Sequence, residues 1–136
     1  MALLHHIPVA SKSLRVLATL LSYPDAQLRA HLADMQAALQ QEGALSSARM
    51  AELAALIALL GHKPALEIEA DYVELFDRGR ATSLHLFEHV HGDSRDRGPA
   101  MIDLVKTYEQ AGLFLGEGEM PDFLPVVLEF ASTLEP

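Results

Sequence analysis

Apolar residues recur along this chain at helical spacing, and turn-forming residues break the recurrence at intervals. Leu14, Leu17, Ala18 and Leu21 stand at i, i+3, i+4 and i+7, one face of a helix over 13–22. Tyr23-Pro24-Asp25 stops that helix, and Asp25 is placed to cap the next, because a carboxylate accepts the free N–H groups of a first turn. The second helix is predicted from Pro24 to Glu42, with Leu28, Leu32, Met35 and Leu39 on one stripe and Gly43 at its end. Ser46 or Ser47 caps a third helix, which reaches Gly61. Its Met50, Leu53, Leu56, Ile57, Leu59 and Leu60 wrap more than one face, which predicts a helix buried between neighbours. Pro64 suits the first turn of a fourth helix. That helix carries Ile68, Tyr72, Leu75 and Phe76 on one side, with Glu67, Glu69, Asp71 and Glu74 among them. A fifth starts near Pro99, carries Met101, Leu104, Val105 and Tyr108, and ends near Gly112. Pro121 opens a sixth, with Phe123, Leu124, Val127, Leu128 and Phe130; Pro125 lies in its first turn, where a missing N–H costs little.

No segment alternates as a strand does. The pattern therefore predicts an all-α fold: a single domain over residues 1–136, built as a bundle of six to seven helices. Each large apolar side chain contributes roughly 1.5–3 kcal/mol when buried, so packing rather than helix propensity holds such a bundle.

Composition narrows the function. Half of the 136 residues are apolar and 21% are charged, a globular balance. The formal charge of −9 argues against a phosphate-tracking surface, so no nucleic-acid partner is expected. There are no cysteines, which excludes thiol catalysis and thiolate metal sites. Residues 1–10 have no basic residue before their apolar part and are broken by Pro8, a poor signal peptide. The longest apolar run, Leu53 to Leu60, falls far short of the ~18 residues that span a bilayer. A soluble cytoplasmic protein without membrane insertion is the expectation.

Candidate chemistry concentrates between Tyr72 and Gly98. His85-Leu86-Phe87-Glu88-His89 matches the H-x-x-E-H pattern of inverted zinc proteases. On one helix, His85 and His89 would share a face and Glu88 would serve as base. A metal-dependent hydrolase needs a third ligand, and nothing singles out Glu109, Glu119 or Asp122. The plainer expectation is that these histidines hydrogen-bond a buried corner. Arg78, Arg80, Arg95 and Arg97 lie among Asp77, Glu88, Asp93 and Asp96, which predicts a salt-bridge network bracing the connection between two helices. The rival is an anion site, but no phosphate-cradling glycine motif accompanies it. A nucleophile elbow is also absent. A binding surface remains. Tyr72, Phe76, Phe87 and Phe123 would line an apolar groove, with Glu74, Asp77, Glu119 and Asp122 at its rim, a combination that suits an amphipathic peptide with basic residues. Each aromatic taken alone also suits a core.

The segments Leu20-Leu-Ser-Tyr-Pro-Asp, Tyr72-Val-Glu-Leu-Phe-Asp-Arg-Gly-Arg-Ala-Thr-Ser-Leu, Leu86-Phe-Glu-His-Val-His-Gly-Asp-Ser-Arg-Asp-Arg-Gly and Met120-Pro-Asp-Phe-Leu-Pro resemble the NarJ family, cytoplasmic chaperones for assembly of respiratory nitrate reductase. They are more distantly similar to the TorD/DmsD chaperones of other molybdenum oxidoreductases. The resemblance implies an all-α fold, no enzymatic activity and no cofactor of its own. It implies binding of the N-terminal tail of the apo catalytic subunit until the molybdenum cofactor is inserted, with cofactor-biosynthesis proteins as further partners. In the wider family a Tyr-x-x-Leu-Phe segment and a Pro-Asp-His segment are linked to peptide recognition. Tyr72, Leu75 and Phe76 match the first. Pro121 and Asp122 match the second, with Phe123 where the family often has His. The peptide-contacting set is thus Tyr72, Glu74, Leu75, Phe76, Asp77, Phe87, His89, Glu119, Pro121, Asp122 and Phe123. Placing Asp122 at the rim predicts that Asp122→Lys weakens binding without altering helicity. Family members usually continue with further helices, so this chain is expected to lack them, and apolar surface left open on its sixth helix would favour a homodimer.

Overall fold

The computed structural model describes residues 10–134. Among these the backbone forms α1 (Ser11–Leu20), α2 (Ala26–Ala30), α3 (Leu32–Glu42), α4 (Ser47–His62), α5 (Ala65–Tyr72), a π-helical turn (Val73–Asp77), α6 (Leu86–Val90), α7 (Arg97–Gln110) and α8 (Leu124–Ser132). The only strand-like pairing among them is an isolated antiparallel bridge between His85 and Phe123. The fold is all-α, as the periodicity predicts, with more helices than the six or seven expected. None of the described helices is long and apolar enough to cross a membrane. The signal-peptide reading rests on residues outside the described range, apart from Ala10.

Several boundaries follow their predicted signals. The Asp25 carboxylate accepts the Leu28 N–H at 2.8 Å and caps α2. Ser46, rather than Ser47, caps α4 by accepting from Arg49 N–H. Gly43 closes α3 in the left-handed conformation, φ 64°, where a side chain would be strained. The long second helix, however, is two helices. His31 leaves helical geometry at φ −109°, and its N–H turns back to the Leu28 carbonyl. The stripe survives the break: Leu28, Leu32, Met35 and Leu39 are all buried.

These residues, with Val16, Leu20 and Ile57, make the main core. α1 crosses it with α3 against one side and α8 against another. That double packing explains why its buried residues are Ser13, Val16, Ala18 and Leu20: of the predicted stripe Ala18 is buried, while Leu14, Leu17 and Leu21 are only half-buried. The start of α1 is held from a distance. The Glu42 carboxylate accepts the N–H groups of Lys12 and Ser13 at 3.0 and 2.8 Å, supplying the cap that Ala10 cannot. Burial pushes the Glu42 carboxyl up, but these hydrogen bonds outweigh it and hold its pKa below the ordinary value.

Two predictions fail here. α4 is not sandwiched: only Ile57 along it is buried, while Leu56 and Leu59 are 38% and 47% exposed. The sixth predicted helix does not open at Pro121. Residues Pro121–Phe123 run non-helically, and α8 starts at Leu124 with Pro125 in its first turn.

Candidate functional site

The fourth predicted helix changes character at Tyr72. After α5 the chain runs for five residues, Val73–Asp77, as a π-helical turn. Such turns are rare and often sit at functional sites. Thr82 Oγ1 donates to the Leu75 carbonyl, one of the backbone groups of this turn. The Tyr72 hydroxyl donates to the Leu21 carbonyl at 2.8 Å, tying the end of α5 to the end of α1. The Tyr72 ring packs edge-on against Tyr23, and Phe76 tilts against its other side with centroids 4.9 Å apart. Burial, with a smaller contribution from Asp77, pushes the Tyr72 phenol up to about 12.

These contacts form one wall of an open apolar groove of about 280 Å³. Tyr72, Leu75 and Phe76 face Leu56, Leu59 and Leu60 of α4 across it, with Leu20, Leu21 and Pro24 at the α1 end. Leu75 is half exposed and Leu59 nearly so. Two charged residues, Lys63 and Asp71, complete the lining. Lys63 Nζ bonds Asp71 Oδ2 at 3.1 Å and stands 3.5 Å from Glu67 Oε1. Glu74 and Asp77 are exposed on the same π turn; Glu74 pairs with Arg78 at 3.3 Å. The residues from α1 and α4 were not among the predicted site residues. Their signal was present: the surplus of leucines around α4, which the sequence alone reads as burial.

The second family-like segment forms a closed corner elsewhere. Asp122 is fully buried. Its Oδ2 accepts the Phe87 N–H at 3.1 Å, and its carbonyl accepts the Leu86 N–H at 3.0 Å. Phe87 is the second residue of α6, so Asp122 fills the N-cap role from 35 residues away. The Leu124 N–H bonds the Leu84 carbonyl, and Tyr108 O–H donates to the Pro121 carbonyl at 2.7 Å. The other Asp122 oxygen has no hydrogen bond; His85 Nδ1 lies 3.6 Å away. The His85 ring stacks obliquely on Phe123 at 5.1 Å. Burial, and then the Asp122 charge, push the Tyr108 phenol up to about 12.

The predicted aromatic groove is therefore divided. Tyr72 and Phe76 line the groove by α4, Phe123 lines a separate small cavity with Glu119, and Phe87 packs edge-on against His91. Asp122 is not at a rim, and Pro121 is buried beside it. Glu119 folds back to accept the Gly116 N–H at 2.6 Å. Exposed His89 meets the Ser83 carbonyl at 2.9 Å through Nε2.

The H-x-x-E-H residues do not share a helix face. His85 is the extended N-cap of α6, not a helical residue. His85 stands beside Asp122, His89 beside Ser83, and Glu88 binds Arg97 at 2.8 Å and Arg80 at 3.5 Å. No three metal-ligating side chains converge among the described residues. The arginine cluster is partly the predicted brace. Arg80 joins Glu88 to Asp93, and Arg97 joins Glu88 to the Gly92 carbonyl. Arg78 pairs instead with Glu74, one turn back. No ion pair involves Arg95 among the described residues.

The family model described as "Nitrate reductase delta subunit" matches residues 42–135, from the end of α3 through α8. The chain belongs to this family. It is 48% identical over 119 residues to the nitrate reductase molybdenum cofactor assembly chaperone NarJ of Escherichia coli (strain K12), covering 88% of this chain and 50% of that protein. NarW of the same strain is 43% identical over 121 residues, covering 89% of this chain and 49% of the relative. The chain thus spans about half the length of these relatives. A crystal structure described as a redox enzyme maturation protein from Archaeoglobus fulgidus shares the fold, with a TM-score of 0.63 at 21% identity over 90% of this chain and 69% of that one. The delta-subunit match includes both the π turn and the Asp122 corner, so three of the four segments that carried the NarJ resemblance lie inside the family's region, and Leu20–Asp25 precedes it.

Proposed function

We propose that the protein is a non-catalytic cytoplasmic assembly chaperone for nitrate reductase. It binds the N-terminal tail of the apo catalytic subunit and holds that subunit until the molybdenum cofactor is inserted. The observation that carries this is the groove between α4 and the α5–π segment: apolar but for Lys63 and Asp71, open to solvent, with Glu67, Glu74 and Asp77 exposed on the α5–π segment. A tail with an apolar face and basic residues fits it, because buried leucines supply affinity while the acidic surround selects the charge. The names of the relatives, assembly chaperones, support the same reading.

Tyr72, Leu75 and Phe76 are the contacts in this proposal, joined by Leu56 and Leu59, with Glu74 and Asp77 attracting the basic end. Isothermal titration with the tail peptide tests it. Binding that is lost in Leu59→Asp, with an unchanged helical circular dichroism spectrum, is the expected result. Full affinity in that variant would remove the groove from the function.

A further inference from the structure

The groove contains one cation of its own. Lys63 stands at the C-cap of α4, and its ammonium reaches across to α5, where it meets Asp71 at 3.1 Å and Glu67 at 3.5 Å. Among the charged residues in the lining, Asp71 is the acid and Lys63 the base. The hydrogen bond to Asp71 holds the Lys63 pKa above its ordinary value, so the ammonium is charged throughout the physiological range. It is a long, flexible side chain holding a surface ion pair, an interaction weak enough to be exchanged.

We infer that Lys63 is a tethered competitor: in the free protein its ammonium occupies the Asp71–Glu67 subsite that a basic side chain of the bound peptide takes over. This deepens the proposed function and rests on it. An arriving guanidinium offers a planar fork that pairs with a carboxylate through two bonds, where an ammonium acts as a point charge. Exchange releases Lys63 to solvent while the apolar residues of the peptide settle on Leu56, Leu59 and Tyr72. A peptide without a cation leaves the Lys63 pair intact and gains nothing from these acids. The acids thus make the groove selective for a basic occupant, and Lys63 moderates that preference, because the occupant must first displace the pair.

The experiment uses a synthetic amphipathic peptide with a single arginine and the same peptide with glutamine there. Both are titrated into the wild type, Lys63→Met and Asp71→Asn. Lys63→Met keeps the apolar stem and removes the competitor. The arginine peptide is expected to bind it about threefold more tightly than the wild type, the scale of one exposed ion pair, and the glutamine peptide equally well. That gain should shrink at high salt, where exposed charges are screened. Asp71→Asn should bring the two peptides to nearly equal affinity. Binding of both peptides with no gain in Lys63→Met, or with the arginine preference intact in Asp71→Asn, overturns the competitor and leaves the groove standing. Absence of binding by either peptide to any of the three proteins removes the groove and the competitor together.

Discussion

The Tyr72–Phe76 segment and the Pro121–Phe123 segment both carry the family resemblance, yet they sit in opposite environments. The first is a π turn on an open apolar groove, with Leu75 51% exposed. The second surrounds Asp122, which has no exposed surface. One of its carboxylate oxygens and its carbonyl are committed to Phe87 and Leu86, and the carbonyl of its neighbour Pro121 to Tyr108. A shared family pattern therefore marks two different physical tasks. One presents side chains to whatever lies outside, and the other fixes the start of a short helix that has no cap of its own.

If that contrast is right, substitutions should separate stability from binding. The largest loss is expected at the corner. Asp122→Ala leaves the Phe87 N–H unpaired and His85 without its partner, and should cost about 3 kcal/mol in urea unfolding, the scale of breaking a buried charged contact. Asp122→Asn keeps an acceptor and should lose visibly less. Asp122→Lys, expected from the sequence to spare the fold, should instead unfold the corner, since an ammonium has no place at a site closed to water. A folded Asp122→Lys protein that merely binds weakly would reverse the contrast. Tyr108→Phe strands the buried Pro121 carbonyl and should cost about 2 kcal/mol by the same measurement.

At the groove the signs change. Leu59→Asp should lower peptide affinity at least about tenfold, or about 1.4 kcal/mol, with stability nearly unchanged because Leu59 is already half exposed. Equal effects on binding and stability would make α4 a core helix after all. A pH effect joins the two regions. Both Tyr72 and Tyr108 rise from an ordinary 10.0 to about 12. The unfolded chain loses these protons first, so their contribution is complete below pH 10 and fades as pH climbs toward about 12. Alkaline thermal melts should show this fall, and it should diminish in Tyr72→Phe and Tyr108→Phe.

The sequence made the apolar stripe of α2 and α3, the Asp25 and Ser46 caps and the Gly43 stop legible, since each is a local signal. α6 was invisible for the opposite reason: its cap arrives from Asp122, far along the chain. The division at His31 has no glycine or proline to announce it. The groove was half visible. Tyr72 and Phe76 were expected as groove aromatics and the resemblance added Leu75, whereas Leu56 and Leu59 looked like core because an apolar helix surface reads alike whether a neighbour or a ligand covers it. The H-x-x-E-H pattern failed because His85 precedes the helix that the pattern presumes.

The π turn has a consequence for how this segment can change. A hydrogen-bonded loop that closes from i to i+5 holds one residue more than an α-helical one. Deleting a residue between Val73 and Asp77 would let the backbone close as ordinary helix, and the widened turn that now sets Leu75 and Phe76 in the wall would be gone. Phe76 would leave the face of Tyr72, and the Thr82 hydroxyl would lose the carbonyl it now meets. Substitutions here alter what the groove touches, but a change of length alters whether there is a wall. The segment should therefore accept many side chains and very few insertions or deletions.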